Sequence, residues 1–403
     1  MKATELMNSC LAGRLRLWAA LGAAAWLVAC GGVDGGGGSA SPLGYSQGSI
    51  TGFGSIIVND IHFDESGASV LADDGGPLQA ADLKLGMSVE VDSGAIDTVA
   101  GTATATAVRL HSGLLGKVVS PDATAGAFTV VGQTVQVTSA TVFDAAYTGG
   151  LAGVAAGSLV EVHAVYDPVR GVYSARRVDP VASANLYRVR GMVSALTSNT
   201  FQIGSAVFVY NVLPAGLAEG AMARVQVLPN PDSQGRWVVS DAARGERQPT
   251  DGVRTGLIGV VSSFTTLSSN FVVDGVQVNA AAITPTGGSL ANGSWVKVEG
   301  VMTAGVLAAS KLEVRVADVG HGGAGGFDMQ LRGKVTSLDA AAKTFKVRDI
   351  KTALLRDVRV SYATATYPNG GSAADLALDA LVEVKGRLSA DGHDVVATEI
   401  RFR

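Results

Sequence analysis

Several residue groups in this sequence have spacings that chemistry could use. Gly44-Tyr45-Ser46-Gln47-Gly48 has the G-x-S-x-G spacing of a nucleophile elbow. That motif needs a strand before it and a helix after it to hold the serine in a strained turn. Here a glycine-rich stretch precedes it and an alternating strand pattern follows, so a polar linker is expected and Ser46 is not expected to be catalytic. Gly320-His321-Gly322-Gly323-Ala324-Gly325 spells G-x-G-x-x-G, but a dinucleotide loop must open a helix whose N-terminus holds the pyrophosphate. Asp328 to Gly333 reads instead as a strand, which makes residues 320–330 a glycine-rich linker. His62, His111, His163, His321 and His393 form no pair at metal-ligand spacing. His62 and His163 alternate with apolar residues and are expected to face solvent. Asp73-Asp74-Gly75 and Asn230 to Gly235 lack the alternating oxygens and terminal glutamate of a calcium loop and read as turns. No metal, cofactor or catalytic residue is expected, and the chain is not expected to be an enzyme.

Cysteine chemistry is confined to the start of the chain, because Cys10 and Cys30 are its only cysteines. The body therefore holds no disulfide framework and no cysteine-based metal site. Lys2, Arg14 and Arg16 precede a 13-residue apolar run from Leu17 to Ala29, the pattern of a secretory signal too short to span a bilayer. Leu27-Val28-Ala29-Cys30 resembles the bacterial lipobox, which implies cleavage before Cys30 and lipidation of its thiol. Residues 1–29 are thus expected to be a lipoprotein signal peptide, with the acylated Cys30 held in the lipid bilayer by its acyl chains. Gly31 directly after the cysteine resembles the outer-membrane class of Gram-negative lipoproteins. Residues 30–47, with Gly35-Gly36-Gly37-Gly38-Ser39 at their centre, read as a flexible tether.

The elements that follow must be built from an unusual composition. Of 403 residues 52 are glycine, about 13% against a usual ~7%, while only 16% are charged. Many tight turns and a sizeable apolar core follow from those proportions, and disorder of the body does not. The net charge is −4; removal of residues 1–29 takes three basic residues and one acidic residue, leaving 28 Lys/Arg, 34 Asp/Glu and a charge of −6. That balance weighs against nucleic acid as a partner, since phosphate contacts need basic clusters.

From Gly48 onward the sequence repeats. Gly48, Gly116, Gly191, Gly259 and Gly333 each open a short apolar strand. A hairpin follows, clearest at Phe271-Val272-Val273-Asp274-Gly275-Val276-Gln277-Val278, where Asp-Gly suits a type I′ turn. Ile57-Val58-Asn59-Asp60-Ile61-His62-Phe63 uses Asn-Asp in the same place. Next, Gly86, Gly157, Gly220 and Gly293 stand three residues before an alternating strand; Asp379 takes that place in the fifth copy, being one of the few other residues that tolerates left-handed backbone. The outward position of this fourth strand holds Glu90, Glu161, Arg224, Lys297 and Glu383. A carboxylate serving as acid or base could not be exchanged for a cation, so the position is expected to be a solvated strand face.

About five period-two strands in each stretch of roughly 70 residues, without a helical period, imply an all-β chain: a tandem array of about five small OB-like antiparallel barrels. An SH3-like barrel or a small sandwich fits the same pattern. The expected units are 48–112, 113–182, 183–250, 251–319 and 331–403, packed end to end as in other arrays. Gly48 to Phe63, the glycine before Val89-Glu90-Val91 and the lipobox together resemble a family of bacterial envelope lipoproteins built from repeated small β-barrels and catalogued only as a domain of unknown function. The likeness is strongest in the first, second and fourth copies. It implies an OB-like fold and an envelope location. The expected role is that of a non-catalytic interaction or scaffold module with an envelope protein as partner. Glycan binding on the barrel faces is the alternative, with Trp237 and Trp295 as stacking platforms if they are exposed.

Overall fold

The computed structural model describes residues 43–403 apart from 246, 316–328, 350–356 and 390–393. The signal peptide, Cys30, most of the tether, and nearly all of the linker 320–330 with His321 lie outside the described residues, as does His393. Alternating apolar residues close into barrels because each strand has one face to bury and one to expose. In the first copy the strands are Leu43–Phe53, Ile56–Val58, Ile61–Asp64, Ser88–Ala95 and Thr102–Leu110. The first pairs antiparallel with the second and the fourth, the second with the third, and the fourth with the fifth. A parallel contact between the third and fifth closes the ring.

The same five pairings, including the parallel closure, recur in residues 114–180, 187–244, 254–315 and 329–402. Among the described residues there are thus five closed five-stranded barrels in tandem. The order first-second-third-fifth-fourth is a Greek key of the OB type, which decides between the topologies that period-two patterning left open. Helical structure among the described residues is confined to 3₁₀ turns of three or four residues. The turn chemistry follows the expectation. Asn59, Asp60, Asp274 and Gly275 all have positive φ, and Gly86, Gly157, Gly220, Gly293 and Asp379 lie between +65° and +85°.

The barrels do not stack end to end. The first barrel touches all four others, and its first strand makes the contacts to the fourth and the fifth. Leu43–Phe53 lies between barrels: Leu43 to Ser49 pair with Ser88–Ala95 of their own barrel while Gly44 to Gln47 run parallel to Arg254 to Leu257 of the fourth, and Gly52-Phe53 run parallel to Gln330-Leu331 of the fifth. Residues 43–47 are therefore strand and not tether, and Ser46 is fully buried in it. Its hydroxyl accepts from Asn59 Nδ2 at 2.9 Å, so this serine is a structural hydrogen-bonding group. The cores merge accordingly. Barrels one and five share one continuous apolar cluster, barrels two and three share another, and the fourth has its own, to which the first contributes Tyr45. A ~70-residue barrel buries only about 60% of its unfolded surface, so shared cores supply burial that each barrel lacks alone.

Candidate binding clefts and the charges that dock the barrels

The outward position of the fourth strand is not a solvated face. Glu90 is buried against His111 Nδ1 at 3.2 Å, with Arg247 Nε at 3.5 Å from its other oxygen. Glu161 of the second barrel receives Arg188 of the third at 2.6 Å. Arg224 of the third reaches Asp73 of the first at 3.2 Å. Lys297 of the fourth, its side chain 5% exposed, reaches Asp60 of the first at 2.8 Å. In the fifth copy Glu383 pairs within its own barrel, with Arg403. Sign exchange among the copies now has a cause: in the second, third and fourth barrels the position docks a neighbouring barrel, and the required sign is opposite to the partner's.

Asp73 stands at the tip of an inserted hairpin, Ser69–Leu71 and Pro77–Leu78. Its side chain, 4% exposed, takes Arg188 Nε and Arg190 Nη2 at 2.6 Å each, as well as Arg224. Burial alone would raise this carboxyl, but the guanidiniums of Arg190, Arg188 and Arg224 outweigh it and hold the pKa below the ordinary carboxylate value. The Asp-Asp-Gly signal correctly indicated a turn, but nothing local marked Asp73 as the anchor of three arginines.

At the boundary of barrels one and two, Lys84 pairs with Asp144 at 3.1 Å, and Arg177 donates to the Leu85 carbonyl at 3.1 Å while pairing with Asp179 at 2.6 Å. His163, expected at the surface, is fully buried here, because the face it occupies is covered by the first barrel. Its Nδ1 accepts from the Ser88 backbone N–H at 3.2 Å. Burial is the main cause that lowers its pKa below 6.5, and the nearby Arg177 and Arg188 add to it against Glu161 and Asp179. The unfolded chain takes up this proton near pH 6.5 and the folded chain resists it, so the stabilisation is full above about pH 6.5 and is lost as the pH falls. We expect the urea midpoint to drop between pH 7 and pH 5, and a His163→Gln protein to show a flatter profile over that interval; equal slopes would remove His163 as the cause.

Both tryptophans in the described residues pack between or within barrels. Trp295 is buried with Ile258, Val260 and Val165, and the Arg176 guanidinium sits 4.5 Å from its ring centroid. Trp237 is half-buried against the shared core of barrels two and three, 6.3 Å from the Tyr187 ring. Neither is an open stacking platform.

Among the described residues, clefts open between barrels, and two of them have room for a small molecule. The larger, about 500 Å³, lies among barrels two, three and four. Val272 and Gln277 from the second and third strands of the fourth barrel line it, together with Tyr166, Met192, Met222 and Arg244. The smaller, about 240 Å³, lies between barrels one and four. Among the described residues no group of three or more His, Cys, Asp and Glu is placed to hold a metal ion, and no helix is long and apolar enough to cross a membrane.

Residues 116–179, 258–313 and 332–401 match the family described as Domain of unknown function (DUF5666), just under half of the chain in three copies. The segments fall in barrels two, four and five. The likeness expected to be strongest in the first, second and fourth copies is found in the second and fourth but not in the first; the fifth, expected to be weaker, matches, and the third, with Ala223-Arg224-Val225 in place of Val-Glu-Val, does not. The chain thus contains repeated β-barrel domains of unknown function, and barrels one and three share their strand order without sharing the match. No curated protein matches the sequence. A solved structure described as a multidomain protein with nucleic acid binding domains, from Streptococcus pneumoniae TIGR4, is similar at 9% identity and a TM-score of 0.13, covering 52% of this chain and 72% of that one.

Proposed function

We propose that the protein is a non-catalytic interaction or scaffold module of the cell envelope, tethered to the outer membrane of a Gram-negative bacterium through acylated Cys30. The observation that carries this reading is the docking of four barrels around the first through shared cores, strand contacts and matched charges. Such docking holds distant surfaces in one orientation, which suits presentation to an envelope protein and not a string of independent beads. The lipobox and the glycine-rich tether supply the membrane attachment. Labelling cells with radioactive palmitate tests the anchor. The wild type is expected to take up label and sediment with membranes, and Cys30→Ser is expected to lose both properties; an unlabelled wild type, or a Cys30→Ser protein that still sediments, overturns it.

Glycan binding is the second reading, and the larger cleft favours it. The second and third strands of an OB barrel form the face that takes oligosaccharides as well as oligonucleotides. In the fourth barrel that face, with Val272 and Gln277, opens into the 500 Å³ cleft, where Tyr166 offers an aromatic ring and Arg244 and Gln277 offer polar donors. The net charge of −6 favours a glycan over a nucleic acid at this site. Binding of envelope polysaccharide that Tyr166→Ala weakens would support the reading, and no signal on a glycan array would remove it.

A further inference from the structure

The smaller cleft differs in charge from the rest of this acidic chain. Arg254, Lys297 and Lys311 line it, with Asp60 and Glu299. Both carboxylates are already engaged. Asp60 accepts from Lys297 Nζ at 2.8 Å and from Arg315 at 3.0 Å, and Glu299 lies 3.0 Å from the same ammonium. Partial desolvation would raise the Asp60 carboxyl, but Lys297 and Arg315 outweigh it and hold it below its ordinary pKa, so it stays charged at neutral pH. The side chains of Arg254 and Lys311 have no hydrogen-bond or ion-pair partner among the described residues. The lining thus carries three cations against two carboxylates, and both carboxylates converge on the ammonium of Lys297. At about 30 Å³ per water molecule, the cleft has room for roughly eight waters, or one sugar-sized molecule. The lining of the larger cleft has no such excess, with one cation, Arg244, and one carboxylate, Asp274.

We infer that the cleft between the first and fourth barrels binds a small organic anion, a carboxylate or phosphate ester of about monosaccharide size, with Arg254 and Lys311 as its counter-charges. The guanidinium of Arg254 can engage two oxygens of such a group at once, and Lys311 supplies a point charge. A local positive field in a chain of net negative charge draws an anion to this site rather than to the general surface. Occupancy would place a ligand across the joint where the Asn59-Asp60 turn of one barrel meets the first strand of the other. This inference is independent of the membrane anchor and of the larger cleft.

Isothermal titration of the full-length protein in detergent with D-glucuronate, inorganic phosphate and D-glucose tests it. Glucuronate or phosphate is expected to bind at one site per chain, more weakly as salt rises, and glucose is expected to give no heat. Tighter glucuronate binding assigns a carboxylate ligand and tighter phosphate binding a phosphate ester. Arg254→Gln is expected to weaken binding by about tenfold or more and Lys311→Gln by several-fold. Neither side chain holds a hydrogen bond or an ion pair among the described residues, so both variants are expected to keep the wild-type melting temperature within a few degrees, which separates lost binding from lost folding. No binding of either anion, equal binding of glucose, or undiminished binding by the double variant overturns the inference.

Discussion

Asp73→Asn is expected to destabilise the protein by about 3–5 kcal/mol, the cost of breaking a buried ion pair by removing one partner. The substitution keeps the shape of the side chain and deletes the charge that three guanidiniums share. Arg188 would retain Glu161 and Ser112, and Arg190 would retain the carbonyls of Ser112 and Gly245, so these side chains remain hydrogen-bonded. Their positive charges would have lost the carboxylate that compensates them in a water-poor interface. Urea unfolding measures the loss, and limited proteolysis should show the third barrel released from the first at denaturant concentrations that leave the wild type intact. Asp74→Asn is the control: Asp74 lies exposed on the same turn and accepts only from the Gly76 N–H, so a change within about 0.5 kcal/mol is expected. Equal effects of the two substitutions would remove the three-arginine anchor as an energetic feature. The depressed pKa of Asp73 adds a sign. Its stabilisation is present above the unfolded carboxylate value near 4 and is lost as acid protonates it, so the wild type should lose its advantage over Asp73→Asn below that range.

Gly52→Val is expected to part the first and fifth barrels. Gly52 sits where the first strand runs parallel to Gln330-Leu331, and any Cβ there would overlap the Gln330 carbonyl oxygen and press on the Ile57 side chain. A flexible side chain could yield, but a backbone carbonyl held in a strand pairing cannot, so the strands must move apart. Overpacking of this kind costs about 1–3 kcal/mol when a core can adjust, and this site gives it little room. Separation would expose Phe53, Met329 and Leu331, which belong to the core that the two barrels share. The expected result is a lower urea midpoint, dye binding to exposed apolar surface, and proteolytic release of a C-terminal fragment the size of one barrel. A Gly52→Val protein with wild-type stability and no released fragment would show that the parallel contact does not join the barrels.

Local features of the fold were legible in the sequence because they depend on a few consecutive residues. Alternation of apolar side chains assigns one face of each strand to a core. Asn59-Asp60 and Asp274-Gly275 stand where the backbone must turn with positive φ, and Asp379 takes the place of glycine for the same reason. The five-fold repeat, the short strands and the turns followed from these signals. What misled was position relative to other barrels. His163 and Lys297 carry the alternation of outward-facing residues, and outward from one barrel proved to be inward to the assembly. Ser46 and Gln47, polar residues that read as linker, are buried because the first strand lies between the fourth strand of its own barrel and the first strand of the fourth barrel.

Sequence alone therefore determined a small five-stranded β unit and its number of copies; tertiary structure decided that the unit is a closed OB-type barrel, which barrels meet and what each charge is for. The physical reason is separation along the chain. Arg224 and Asp73 are 151 positions apart, and Lys297 and Asp60 are 237 apart. No backbone preference spans such distances, and the sign of a strand-four residue has meaning only once its partner from another barrel has been brought within reach.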